Sequence, residues 1–540
     1  MKRNALGLAI LLVSLFALPG SRVWAAELSQ PARTAPATSA PVGAAQAWTV
    51  TWGGSGDEKA GRVAVDGAGN VFLAGEFSGT ADFNPSPTAS DVHSSNSGSI
   101  DAFLSKFDAD GNLLWAKTWG SSRRDVAYGV AVDSLGYSYV VGPFMDTVDF
   151  NPDPAISELH TSNAISGTIY HNNIYLSKFA PDGAFVWVRT WGPAYVTGAA
   201  GGAEGYMVAI DGNALYVVGD FSGGTTDFNP WGGHDYHTNH PSVSGPTFFD
   251  AFLSKFDLDG NFQWAKTWGG EGYDDGPGVA IDSSGNVYVS GMYASQTINF
   301  DPAGGSQGLG HPAQDSGILV DVFLSKFDAD GNFQWVRTWG GQGAEDAMGL
   351  AVVDSADNIY VAGRFMSTNC DFNPGGIPDL HSTHGGQDAF VSKFDASGNF
   401  QWARTWGGSD SDNVMSLALD EWGNVYTSGW FSGSFDFNPG SAVDTHAANG
   451  GRDMFLTQYA PNGNYQWTRT WGGSSDDSGV IGLSGSGRLY AAGAFAASVD
   501  FDPGPDSELH LANGATDAFL SQFVLLPRAQ YLPALNRSGP

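Results

Sequence analysis

Apolar residues along this chain come in short runs of four to seven, and each run ends in Gly, Asn or Asp. One stretch shows the pattern whole. Gly-Val-Ala-Ile-Asp (278–282) is an apolar run, Ser-Ser-Gly-Asn (283–286) a turn, and Val287 to Tyr293 a second run. A longer connection follows, carrying Asn-Phe-Asp-Pro at 299–302. Then come Asp321 to Phe327, a turn at 328–332, and Phe333 to Trp339. Runs rich in β-branched and aromatic residues, bounded by such turns, predict strands joined as hairpins. Nowhere does a 3.6-residue period replace them, so the expected unit is four antiparallel strands.

The unit recurs. Thr-Trp-Gly-Gly, or a near variant, begins at Thr51, Thr118, Thr190, Thr267, Thr338, Thr405 and Thr470, at spacings of 67, 72, 77, 71, 67 and 65 residues. Seven four-stranded units predict an all-β fold, a seven-bladed β-propeller. The chain ends sharpen this. The last unit stops after a third strand, Asp517 to Phe523, and the first begins with an orphan fourth strand, Trp48 to Trp52. Placing the N-terminal strand beside the last three closes the ring and leaves no open sheet edge. Fourteen of the 18 Trp lie on these fourth strands, at Trp115 and Trp119 for example, with Lys117 between them. Residues i, i+2 and i+4 of a strand share a face, so blade-to-blade packing is the expected use of this ladder.

The stretches Gly278 to Gly291 and Asp388 to Trp402 resemble the bacterial β-propeller repeat called SBBP and, more distantly, NHL repeats. The resemblance covers residues 46–525. It implies the propeller fold and an exported bacterial protein, and it brings no catalytic residue with it.

Around the propeller the chain divides simply. Residues 1–25 read as a signal peptide: Lys2 and Arg3, an apolar run from Leu6 to Leu18, and a small residue at Ala25. That run is too short for a ~20-residue membrane span. Residues 26–45, rich in Ala, Pro, Ser and Thr, read as a linker, and 526–540 as a C-terminal tail. With 56 acidic and 24 basic residues the net charge is −32. Nucleic acid and anionic membrane surfaces are therefore poor partners, whereas cations remain compatible. Cys370 is the sole cysteine, so no internal disulfide forms.

Strand direction sorts the connections onto two faces. One face carries uniformly tight turns, the other long loops that differ between blades, and a binding site belongs on the second. There an acidic residue precedes most first strands by five positions: Glu58, Asp125, Asp274, Glu345, Asp412 and Asp476, with Glu204 one step later in the third unit. A ring of carboxylates at the channel mouth suits Ca²⁺ or a polycationic ligand. The other reading is that each carboxylate caps the free N–H groups of its own Gly-rich loop. Asp-Phe-Asn-Pro in the longer loops reads as a turn, its Phe as a plug. His234, His237 and His240 form the densest group of potential zinc ligands. Asp108-Ala-Asp110-Gly-Asn looks like the start of a Ca²⁺ loop but has Trp119 where the twelfth-position Glu belongs.

The expected function is that of an exported, non-enzymatic binding scaffold, secreted or at the cell surface, monomeric, for a protein or polysaccharide ligand. It requires no cofactor, with Ca the candidate if there is one, and no membrane insertion follows signal cleavage. The alternatives are a hydrolase or lyase of extracellular polymers using carboxylates at the mouth, and a purely structural surface module.

Overall fold

The computed structural model describes residues 41–165, 169–193, 201–240, 248–304, 308–309, 320–373, 375–504 and 507–527. The expected signal peptide, most of the linker and most of the tail lie outside them. Seven antiparallel blades form the ring, six as four-stranded sheets and the seventh as four strands whose N-terminal member also pairs with the ribbon of blade 1. In blade 1 the strands run from the inside outward as Glu58–Val65, Val71–Ser78, Ile100–Phe107 and Leu113–Trp119. Blades 2 to 6 repeat that order, and no α-helix occurs among the described residues.

Closure is as the chain ends require. In blade 7 the third strand, Asp517–Pro527, pairs with the N-terminal strand Pro41–Gly54, Phe519 opposite Thr51. That ladder is longer than the sequence suggests: it starts at Pro41 opposite Pro527, so residues 41–45 are strand rather than linker. In five of the seven loops between second and third strands, the connection also folds into a small ribbon of two three-residue strands, such as Thr80–Asp82 with Val92–Ser94. Blades 4 and 5 have shorter counterparts, Ile298–Asn299 with Gly308–Leu309 and Cys370–Asp371 with Leu380–His381.

All four residues of Thr-Trp-Gly-Gly have physical jobs. The Trp leaves its own blade and packs on an aromatic ring in the third strand of the next: Trp119 on Phe179, Trp191 on Phe256, Trp268 on Phe327, and so on, centroids 5.0–5.5 Å apart. Trp52 on Phe107 completes the circle across the seam between the chain ends. The Thr hydroxyl is pinned by the ribbon histidine, as in His93 Nδ1 to Thr118 Oγ1 at 3.0 Å. His510 holds Thr51 in the same way across the closing seam. The first Gly makes room for carboxylates: a Cβ on Gly53 would come within 2.6 Å of both Asp517 Oδ1 and Glu58 Oε2. The second lets the ribbon approach, since a Cβ on Gly54 would strike the Thr80 carbonyl.

The earlier Trp and the basic residue between the two tryptophans bind the same seams. Arg189, Arg337 and Arg404 each donate from Nε to a glycine carbonyl in the next blade's hairpin turn, at 2.7–3.0 Å. The Phe of Asp-Phe-Asn-Pro is fully buried in every blade. Its neighbouring Asp closes the turn, as Asp82 Oδ1 does by accepting from the N–H groups of Asn84 and Asp91. Asp108 Oδ1 accepts from the N–H groups of Asp110 and Asn112, the hairpin-turn use its sequence indicates.

Gly53→Ala should therefore lower stability by about 1–3 kcal/mol, the range for an overpacked interior. Gly232→Ala, where nothing lies within 4 Å of the added Cβ, should leave it unchanged. Denaturant unfolding of the two variants checks this, and equal midpoints would break the argument.

Candidate functional site

Five of the seven expected carboxylates occupy one position. Glu58, Asp274 and Glu345 open their inner strands, Asp125 and Asp412 stand just before theirs, and all five are fully buried. Each accepts the N–H of the residue four places before it: Gly54, Ser121, Gly270, Gly341 and Gly408, at 2.6–3.0 Å. The second oxygen is also used where the loop allows, Asp125 Oδ1 accepting from Met145 N–H and Asp412 Oδ1 from Ser432 N–H. These carboxylates hold the loops in shape. In each, at least one oxygen is taken by a backbone donor of its own loop.

Two expected members are one residue out of register. In blade 7 the position belongs to Asp477, whose Oδ2 accepts from Gly473 N–H at 2.7 Å, while Asp476 is exposed. The inner strands of blades 1, 3, 4 and 6 carry one extra bulged residue, as between Ala60 and Arg62, and the blade 7 strand has none. Counting back five residues therefore overshoots by one. In blade 3 the position is Ala203, whose N–H bonds to the Asn172 carbonyl as Asp125 N–H bonds to that of Ile100. Glu204 lies one residue further along, paired across the ladder with Asp220.

Each capping acid has a companion that sequence reasoning missed. The third strand of the preceding blade begins with Asp517, Asp101, Asp250, Asp321, Asp388 or Asp453, all at most 5% exposed. At Gly53, Gly340 and Gly407 both carboxylates of a pair crowd the same Thr-Trp-Gly-Gly glycine, and at Gly120, Gly269 and Gly472 the companion Asp does. Where blade 3 has Ala203 in place of the cap, the companion is Asn173, so both acids are exchanged together. The signal was available: an Asp opens the third-strand run in six of seven units.

Paired burial has an electrostatic consequence. Burial pushes the Glu58 carboxyl up to about 8, against the pull of the Gly54 N–H, and the Asp517 charge adds to it. Burial likewise lifts Asp125, Asp274, Asp412 and Asp477 to about 7. Asp321 rises to about 8 through burial and the charge of Glu345. At neutral pH these pairs hold protons that the unfolded chain has released.

The histidines of blade 3 do not converge. His234 Nδ1 bonds Asp227 at 2.6 Å, His237 Nδ1 bonds Thr267 at 2.9 Å, and His240 Nδ1 bonds Asp250 at 2.7 Å. Among the described residues no group of three or more His, Cys, Asp or Glu could hold a metal ion. His234 and His237 instead line a groove of about 690 Å³ on the outer rim, between the Phe262–Trp268 strand of blade 3 and residues 301–303 and 331–333 of blade 4.

The repeat breaks at the mouth itself. One residue inside the capping position, the facing pairs are Lys59 and Glu76, Glu204 and Asp220, Asp275 and Met292, Asp346 and Arg364, Asn413 and Trp430, and Ser478 and Ala494. No two blades agree. Around blades 1 to 4 these groups connect. Arg124 bonds Glu76 Oε2 at 2.7 Å and the Tyr128 hydroxyl at 3.0 Å, and Tyr128 packs against Tyr206 at 5.7 Å. Tyr206 bonds Asp220 Oδ2 at 3.0 Å, and the Tyr273 hydroxyl lies 3.4 Å from the same oxygen. Glu204 Oε1 accepts from Asn172 Nδ2 at 2.6 Å. On blades 5 and 6, Arg364 faces Asp346 at 3.4 Å and Arg452 stacks over Trp430 at 4.0 Å.

Comparison with known proteins agrees with this architecture. Residues 263–292, the outer strand of blade 3 and the first two strands of blade 4, match the sequence profile described as SBBP, beta-propeller repeat. The chain carries an SBBP repeat. It is similar to an uncharacterized WD repeat-containing protein of Acanthamoeba polyphaga mimivirus, 23% identical over 72% of this chain and 31% of the relative. It is also similar to regulatory protein FlaEY of Caulobacter vibrioides, 28% identical over 32% of this chain and 17% of that protein. The chain thus spans a third or less of the length of either relative. Among solved structures, a europium-containing methanol dehydrogenase aligns over 89% of this chain and 93% of its own, at 9% identity and a TM-score of 0.35. No helix among the described residues is long and apolar enough to cross a membrane.

The buried pairs make stability pH-dependent in a direction opposite to that of ordinary salt-bridged acids. A carboxyl whose pKa is raised on folding stabilises fully below its unfolded value, about 4, and loses that contribution as pH rises through 7 to 8. Thermal unfolding should therefore give a higher Tm at pH 5.5 than at pH 9, with the difference reduced in Glu58→Gln and Asp412→Asn. A flat profile in the parent chain would remove the shared-proton account.

Proposed function

We propose that this propeller repeat protein is an exported, non-enzymatic binding scaffold whose contact surface is the long-loop face, centred on the channel mouth. One contrast carries the reading. Groups repeated in most blades are engaged in holding the fold: the carboxylates cap loops, the ribbon histidines pin threonines, the tryptophans fill seams. The facing pairs at the mouth differ in every blade and combine arginine, carboxylate and aromatic side chains. Such a mixture on a rigid frame is the composition of recognition surfaces. The ligand class in keeping with it is a protein or a polysaccharide. No cofactor is needed for this, and Ca²⁺ would have to displace the backbone donors that already occupy the capping acids. Export rests on the charge and apolar pattern of residues 1–25.

Two measurements test the reading. The chain from residue 26 onward, screened on glycan and peptide arrays, should select a ligand whose binding falls at least tenfold in Glu204→Gln/Arg364→Ala. Binding should be unchanged in Asp330→Ala on the tight-turn face. Ligand loss confined to the tight-turn variant would overturn the assigned surface, and release of cleaved polymer by the parent chain would make it an enzyme. Separately, fractionation of bacterial cells producing the full chain should find it outside the cytoplasm and shortened near residue 25. Full-length protein retained in the cytoplasm would refute export.

A further inference from the structure

Arg62 stands apart from every other cation described in this chain. It lies on the inner strand of blade 1 and is 0% exposed. Its Nε donates to the Tyr128 carbonyl on blade 2 at 3.1 Å, while Nη1 and Nη2 have no hydrogen-bond partner. No carboxylate acts on it: burial alone pushes its pKa down. The other buried cations are provided for. Lys106, Lys178 and Lys393 each donate to a carbonyl in the next blade's hairpin turn, and Lys106 and Lys393 also face Asp66 and Asp354. The position is likewise a departure from the repeat. At the same register the other inner strands place Gly129, Met207, Gly278, Ser416 and Val480.

A guanidinium does not escape burial by losing its proton, because it stays charged throughout the accessible pH range. Taking such a charge out of water costs several kcal/mol unless something compensates it. In a chain with a net charge of −32, a carboxylate was the readiest partner, and the fold supplies none here. Four N–H donors on a planar fork, aimed away from any protein acceptor, fit a small acceptor bearing negative charge.

We propose that the seam between the inner strands of blades 1 and 2 binds one small monovalent inorganic anion, chloride being the most available, against Nη1 and Nη2 of Arg62. The anion neutralises the buried charge and ties blade 1 to blade 2 beneath Tyr128. It belongs to the folded frame and does not depend on what the mouth binds.

The probe is the halide itself. Thermal unfolding of the chain from residue 26 onward, at fixed ionic strength with chloride replaced stepwise by gluconate, should show Tm rising with each tenfold increase in chloride. Crystals grown in bromide should give an anomalous peak within hydrogen-bonding reach of the Arg62 guanidinium. Arg62→Met, if it folds, should lose the chloride dependence, and Arg62→Lys should weaken it. The proposal is overturned by equal Tm values in chloride and gluconate together with no bromide at Arg62, which would leave water as the partner. It is also overturned if Arg62→Met keeps the full chloride response, and because the parent chain carries the first two measurements, a variant that fails to fold does not spare it.

Discussion

Everything in this ring depends on one contact made seven times: a tryptophan from the outer strand of each blade laid on an aromatic ring of the next. The magnitudes show why it dominates. An indole of this kind buries about 150–250 Å², worth about 4–6 kcal/mol at ~25 cal/mol per Å². None of the seven indole N–H groups has a hydrogen-bond partner, and each is buried. An orphaned donor costs about 1–3 kcal/mol. Packing outweighs the lost hydrogen bond at every seam, so the chain spends its tryptophan on cohesion rather than on ligand contact.

The polar interior follows from that packing. To bring the indole across, the chain must turn sharply at the Gly-Gly step, and the turn leaves backbone N–H groups pointing inward. The capping carboxylates satisfy them, and the companion acid of the neighbouring blade satisfies the loop before its own strand, as Asp388 Oδ2 does for the His384 N–H. Two carboxyls per seam is the result, crowded enough to retain protons near neutrality. Blade 3 shows that the arrangement is a unit: with Ala203 in one position, the other is Asn173, and a lone buried charge is avoided.

Much of this was legible in the sequence, because repetition turns single residues into statistics within one chain. Seven copies of Thr-Trp-Gly-Gly predict seven blades, and the two incomplete ends predict how the ring closes. What escaped was whatever depends on register rather than on spacing. The inner strand of blade 7 lacks a one-residue bulge, and that alone moved the capping acid from Asp476 to Asp477. Glu204 looked like a displaced member of the acidic ring because its neighbour Ala203 carries no charge to mark the true position. The variable pairs at the mouth escaped for a different reason: Glu76 and Arg124, or Tyr206 and Asp220, meet only once the strands are side by side. Arg62 gave no signal, being one basic residue in an apolar run.

The ladder that joins Pro41 to Pro527 also fixes how the molecule is held. The third strand of blade 7 starts at the mouth and runs toward the tight turns, so both ends of the described chain depart together from the side opposite the variable loops. Pro41 and Pro527 stand opposite one another on that underside, so the two ends of the described chain lie side by side there. A load pulled on either end is taken first by the longest ladder among the described strands, and the upper face stays turned outward while it bears that load.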